Sequence, residues 1–544
     1  MELSTRRGFL ASAPWVALAQ TRRPPNVILC ISDDQGYGDL SLHGNPNLKT
    51  PNLDRIGVEG VQFTQFQVSP VCSPTRSSLM TGRYNYRTGV VDTYIGRSMM
   101  YPDEETLAEV LRRAGYVTGI FGKWHLGDCY PLRAMDQGFD ESVVCTGGGL
   151  TQPSDPPGNR YHNPLLKVNG KWERRDGYCT DIFFREALRF VERNRRRPFF
   201  TYLAANAPHT PLEIDDDYWR PFAAQGLNEV TSKVYGMCRN LDDNMGRLHA
   251  TLERLGLAEN TILIFLTDNG PQQQRYNAGM RGLKGSVYQG GIRVPFLMRW
   301  PARFKAAKTD RIAAHIDVMP TLAEACGAKL PAGRKIDGRS LMPLLRGDDA
   351  NWPDRTLYTQ WHRGDVPELF RACAARTQQY KLVDGKELYD LASDPAEQHD
   401  IAAQNPNVVS QMRQDVERWF RDVSAERGYD PPRIHLGSRQ EPHTTLTRQD
   451  WRGSRAGWRP GDVGHWEVEV VREGNYQVTV RFPAAAQPGE ASVKVGDVSG
   501  SGRFAAGAES ASFPLRLRAG PARFEPGVSA GAGVSPTYVD VSLM

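Results

Sequence analysis

Apolar positions follow two different patterns along the chain, and the change between them divides it. In the first part, unbroken apolar runs of strand length alternate with helical periodicity. Asn26-Val-Ile-Leu-Cys-Ile-Ser32 is such a run, ended by Asp33-Asp34-Gln35-Gly36, and continuous runs belong to strands buried on both faces. Tyr116 to Phe121, Pro198 to Leu203 and Thr261 to Leu266 repeat it. Helix-like stretches fall at Thr50 to Glu59, with Pro51 near the start, and at Glu104 to Ala114, ended by Gly115. Strands alternating with helices predict an α/β domain whose mostly parallel sheet is covered on both faces.

The alternation weakens near Asp348 to Asp354. Tyr380-Lys-Leu-Val383 and Glu387-Leu-Tyr-Asp-Leu391 flank Asp384-Gly385 and read as a hairpin. A helix from about Asn407 to Ser424 is expected to pack on it, giving a smaller α+β subdomain. From Trp466 the period becomes two: Trp466, Val468 and Val470, then Tyr476, Val478, Val480 and Phe482. These are expected to pair as antiparallel strands across Glu473-Gly474-Asn475, within a small β-sandwich. The predicted division is therefore an α/β domain over 24–347, the α+β subdomain over 348–430, a linker over 431–459 and a β module over 460–544. The pattern leaves open whether that module binds sugar or only packs.

The length of 544 residues agrees with two or three domains. With 40% hydrophobic residues and a mean hydropathy of −0.50, the chain can bury large cores but has no internal apolar run long enough to span a bilayer. A net charge of +5 from 67 basic and 62 acidic residues argues against a nucleic-acid partner. The one dense basic cluster, Arg193 to Arg197, reads as solvated helix surface.

At the N-terminus, Arg6-Arg7 precede a short apolar run from Ala11 to Leu18, and Ala17-Leu18-Ala19 offers a small-x-small cleavage pattern. Residues 1–19 are therefore expected to be a twin-arginine signal peptide, read by the twin-arginine translocase and removed before Gln20. A periplasmic or extracellular location follows. Eight cysteines show no C-x-x-C pair and no zinc-like cluster.

Candidate chemistry gathers after the strands, where ligand sites of parallel sheets lie. Asp33-Asp34 follow the first, Ala207-Pro208-His209 the third, and Asp268-Asn269 the fourth. Each alone also suits a turn or cap. Together, three carboxylates and an amide carbonyl make an all-oxygen donor set for a hard divalent cation. Lys123 and His125 in Gly122-Lys-Trp-His-Leu-Gly127, His209, and Lys284 in Arg281-Gly-Leu-Lys-Gly285 add cations and proton carriers. Lys123 has neither the glycine spacing nor the following hydroxyl of a nucleotide-binding loop. The set points to a tetrahedral oxyanion ester.

Cys72-Ser-Pro74-Thr-Arg76-Ser-Ser-Leu-Met-Thr-Gly-Arg83 resembles the signature of the type I sulfatases, the arylsulfatase family within the alkaline phosphatase-like superfamily. Companion motifs occur in the family's order: Asp33-Asp34 with Gly36 and Asp39, Gly122 to Gly127, Pro208-His209, Asp268-Asn269-Gly270, Lys284, Gly291-Ile-Arg-Val-Pro295, and Glu387 to Leu391 with Asp394-Pro395. The likeness runs from Pro24 to about Ile401. It implies that a maturation enzyme oxidises Cys72 to formylglycine, whose hydrate carries two hydroxyls on one carbon. It also implies one calcium ion held by Asp33, Asp34, residue 72, Asp268 and Asn269, with Arg76 and Lys123 countering negative charge. By the family mechanism one hydroxyl attacks sulfur while His209, assisted by Lys284, protonates the departing alcohol. A covalent sulfate ester results, and His125 then takes the proton from the second hydroxyl as sulfate leaves.

Gln289 stands where many relatives have glutamate, and Val144 to Asp176 reads as a long substrate-side loop. Aromatic and arginine residues in the loops favour a sulfated carbohydrate as substrate. The alternatives are a phosphate or phosphonate ester hydrolase, and a non-catalytic sulfated-glycan binder if Cys72 is not converted.

Overall fold

The computed structural model describes residues 23–530 and 533–544, so the expected signal peptide lies outside the described residues. Its centre is a ten-stranded mixed sheet. Five consecutive strands in the middle run parallel: Thr261–Thr267, Asn26–Ser32, Phe199–Ala204, Val117–Lys123 and Glu141–Cys145. Antiparallel strands extend both sides, Phe296–Arg299 on one and Leu165–Val168 with Lys171–Arg174 on the other. Asn26–Ser32 is buried along its whole length, as expected for a strand with helices on both faces. One apolar cluster lies on each face, one around Val27, Leu29 and Ile31 and the other around Ile28 and Cys30.

The α/β architecture is thus as expected, and the carboxyl ends of the parallel strands line up. Ser32 pairs with Thr267, and Ile31 and Gly122 both pair with Ala204. At Gly122 a Cβ would lie 1.8 Å from the Ala204 carbonyl oxygen, so only glycine lets the neighbouring strand approach this closely.

Four antiparallel strands, from Leu357–Gln360 to Glu387–Asp390, form the smaller sheet. Helix Pro406–Ser424 buries Met412, Val416, Trp419 and Val423 against it. The C-terminal part is a sandwich of a five-stranded and a four-stranded sheet.

Two expectations fail in this sandwich. The stretch 431–459 is not a linker: Ile434–Leu436 and His443–Thr447 each join one sheet. With Ile434, Leu436 and Leu446 as their only buried apolar residues, those strands are too short for alternation to stand out. Trp466–Val470 and Gly474–Arg481 are not hairpin partners either; they lie in opposite sheets, paired to Gly520–Ser529 and Ser510–Leu517. Period two reveals which face is buried, not which strand lies alongside. The presumed loop 144–176 also contains the hairpin Leu165–Val168 and Lys171–Arg174.

The sandwich core is continuous with the α/β domain, since Ile95, Met99, Cys129 and Leu132 pack into the same cluster as Trp451 and Trp466. Among the described residues, no helix is long and apolar enough to cross a membrane.

Candidate active site

Cys72 opens helix Cys72–Thr81, all ten residues of which are buried. Pro74 sits in the first turn, where its missing N–H would have no intrahelical partner. Arg76, four residues after Cys72, lies on the same helix face, and the free N–H groups of this helix start favour an anion.

The strand ends bring three carboxylates to that helix start. Each has its own cation: Lys123 Nζ lies 2.6 Å from Asp33 Oδ2, Lys284 Nζ 2.6 Å from Asp34 Oδ1, and Arg76 Nη2 2.8 Å from Asp268 Oδ2. Buried charges persist only when paired in this way. Cys72 Sγ, 3.7 Å from Asp33 Oδ1, occupies the position that the resemblance assigns to the oxygens of a hydrated aldehyde.

Asp33, Asp34, Cys72 and Asp268 offer ligand atoms that all lie within 4.8 Å of one another. Asn269 donates its amide N–H to Asp34 Oδ1 and to the Gly270 carbonyl, at 2.8 and 2.9 Å, which leaves its Oδ1 without a partner. Asp34 Oδ2 is also buried and unpartnered. Two orphaned oxygens beside carboxylates fit a hard divalent cation such as calcium. Asp34 has φ +64°, an uncommon conformation of the kind held in place at functional sites. Asp39 is not part of the donor set; it accepts from Arg275 at 2.6 Å and fixes the loop after Asp34.

The surroundings set the protonation states. Burial pushes the Asp34 carboxyl up, but Lys284 and His209 outweigh it and hold the group below the usual range. Asp268 is raised to about 6 by burial and by the like charge of Asp33. His209 Nδ1 donates to the Thr210 carbonyl at 2.6 Å, and Nε2 faces Asp34 Oδ2 at 3.8 Å. Burial, reinforced by Lys284, lowers His209 to about 3. His125 is also held neutral, by burial and Lys123.

His125 Nε2 lies 2.7 Å from the Thr93 carbonyl. A carbonyl only accepts, so Nε2 carries the proton and Nδ1 keeps its lone pair. Gln449, from the stretch expected to be a linker, donates to that same carbonyl at 2.8 Å and to Ser98 Oγ at 3.0 Å. It is 1% exposed. Nothing in the sequence around Gln449 signals this role, because only the sandwich brings it to the α/β domain. By fixing Thr93, Gln449 positions His125. Gln449→Ala is expected to lower kcat about tenfold while changing KM for an aryl sulfate less than twofold; steady-state kinetics checks the split, since general loosening would move both.

The structure therefore brings together every residue expected at the site: Asp33, Asp34, Cys72, Arg76, Lys123, His209, Asp268, Asn269 and Lys284 in one cluster, with His125 tied to it through the chain after Lys123. Gln289 lies outside; its backbone N–H donates to Glu397 Oε2 at 2.6 Å.

This fold and site define a sulfatase. The sulfatase family model matches residues 25–328, and the chain belongs to that family. A second model, N-sulphoglucosamine sulphohydrolase, C-terminal, matches residues 283–422. The chain is 33% identical to N-acetylgalactosamine-6-sulfatase of Canis lupus familiaris, over 66% of this chain and 72% of the relative. It is 31% identical to arylsulfatase A of Homo sapiens, over 78% of this chain and 94% of the relative. Among solved structures, Ps i-CgsB in complex with k-i-k-neocarrahexaose superposes with a TM-score of 0.69 at 29% identity, covering 75% of this chain and 95% of that one. The chain is a sulfuric ester hydrolase of the alkaline phosphatase-like fold.

Proposed function

We propose that this enzyme hydrolyses sulfate esters of carbohydrates with residue 72, converted to formylglycine, as its nucleophile. The observation that carries the reading is the cluster at the start of helix Cys72–Thr81: three carboxylates, each paired to a cation, and two orphaned oxygens beside residue 72. Relatives named for N-acetylgalactosamine 6-sulfate and a neighbour bound to neocarrahexaose support a sugar substrate.

Asp33, Asp34, Asp268 and Asn269 would hold one calcium ion, which supplies positive charge for a sulfate oxygen and for the nucleophile. Formylglycine would supply a hydrated aldehyde, with a second hydroxyl that plain serine lacks. Arg76 and Lys123 then balance the charge of the bound ester. For His209 to give a proton to the leaving oxygen, Nε2 must first be protonated, because Nδ1 already donates to Thr210; the Asp34 carboxylate 3.8 Å away favours that imidazolium, and Lys284 opposes it. His125, with Nδ1 unprotonated, is placed to accept a proton.

The N-terminal pattern supports export by the twin-arginine translocase to the periplasm or beyond, after contact with a formylglycine-generating enzyme. Comparing 4-nitrophenyl sulfate with 4-nitrophenyl phosphate tests the reaction class. Sulfate is expected to be preferred by at least about a hundredfold in kcat/KM, roughly 2.7 kcal/mol of transition-state discrimination; preference for phosphate would overturn it.

A further inference from the structure

Beside the catalytic cluster lies a cleft of about 800 Å³ with two walls of different origin. One wall is the chain from Thr151 to Arg160 with Pro211 and Glu213; the other belongs to the sandwich and includes Phe482, Pro483, Glu509 and Tyr538. The walls are fastened together. Tyr538 donates its hydroxyl to the Asp155 carbonyl at 2.6 Å, and Arg448 is anchored within the sandwich to Pro536 and Ser535, at 2.8 and 2.6 Å.

Two of the cleft's lining residues, Gln152 and Pro211, stand close to the catalytic histidines. A Cβ at Gly148 would lie 2.2 Å from Gln152 Oε1 and 3.1 Å from His125 Cε1, so a cleft-lining side chain and the His125 ring border the same glycine. On the other side Pro211 follows His209 by two residues. Tyr161 ties the two together, donating its hydroxyl to the His209 carbonyl at 2.8 Å and its backbone N–H to Glu213 Oε2 at 3.3 Å.

Its chemistry suits a sugar ring. The exposed rings of Pro157 and Pro483 and the half-buried ring of Tyr538 offer flat apolar faces for the C–H face of a pyranose, with polar groups at the edges. Asp155, which lines the cleft and is 1% exposed, keeps Oδ1 without a partner, and buried polar atoms seldom stay unpaired without a reason. The volume falls within the roughly 300–1,000 Å³ of small-ligand sites.

We propose that this cleft is a subsite for the sugar unit adjoining the sulfated one, making the sandwich a wall of the substrate site. The proposal rests on the carbohydrate reading above. It is tested with the full-length matured enzyme by measuring kcat/KM on monosaccharide sulfates and on sulfated tetrasaccharides from chondroitin and carrageenan. Binding energy from a remote unit should favour the tetrasaccharide by about tenfold. Glu509→Trp and Pro157→Trp, at two exposed positions on opposite walls, should each cut the tetrasaccharide-to-monosaccharide ratio by about tenfold. Cleavage of both sugars with no length preference, or a ratio that neither variant changes, overturns the subsite alone. Cleavage of 4-nitrophenyl sulfate but of no sulfated sugar overturns the carbohydrate reading, and the subsite with it.

Discussion

Cys72→Ala, produced alongside the maturation machinery, is expected to lose sulfate ester turnover by on the order of 10⁴-fold or more, as nucleophile deletions do. Its fold should change little, because one small buried side chain is shortened at the start of a helix. The unconverted thiol is no substitute nucleophile. Burial pushes it up to about 12, even with Lys123 and Lys284 nearby to favour the thiolate, so almost none ionises at neutral pH. Cys72→Ser separates the two stages of the proposed reaction. A serine hydroxyl can be sulfated but has no second hydroxyl to expel sulfate, so the variant should turn over no more than once and retain a sulfated peptide. Activity assays with intact-protein mass measurement check both variants.

Asp34→Asn carries the second large effect. The substitution keeps the shape and removes the charge that faces Lys284 at 2.6 Å and His209 at 3.8 Å. It also weakens the oxygen donor set, since a neutral amide replaces a carboxylate. We expect kcat/KM to fall by about 10³-fold or more. Calcium should raise the melting temperature of the native protein, as a ligand that binds only the folded state must, and this rise should disappear in the variant. Stripped of its partner, the mostly buried Lys284 would also destabilise the protein, by about 3–5 kcal/mol on the scale of broken buried pairs. Thermal melts with chelator and with added calcium read both effects. A variant that kept its calcium-dependent rise would remove Asp34 from the donor set.

The catalytic half of the molecule was legible because its chemistry follows its strands. The run Asn26 to Ser32 announces a strand buried on both faces, so Asp33 and Asp34 must emerge at its carboxyl end. Thr261 to Leu266 does the same for Asp268 and Asn269. The pairing of each carboxylate with its own cation was not legible, because the partners lie 90 to 250 positions apart and their contacts depend on the register of the whole sheet. Gln449 was hidden for a related reason. Its neighbourhood is polar, its two flanking strands are short, and its role exists only once the sandwich docks on residues 95–99. The strand partners in the sandwich were misread because alternation fixes a strand's buried face but leaves its neighbours open.

The most direct test of the account is the mass of the tryptic peptide containing residue 72, from protein made with its natural maturation machinery. The account predicts a peptide that has lost one sulfur and two hydrogens and gained one oxygen, in protein that hydrolyses 4-nitrophenyl sulfate. An intact cysteine thiol in protein equally active on that ester would contradict it, because turnover would then need another nucleophile.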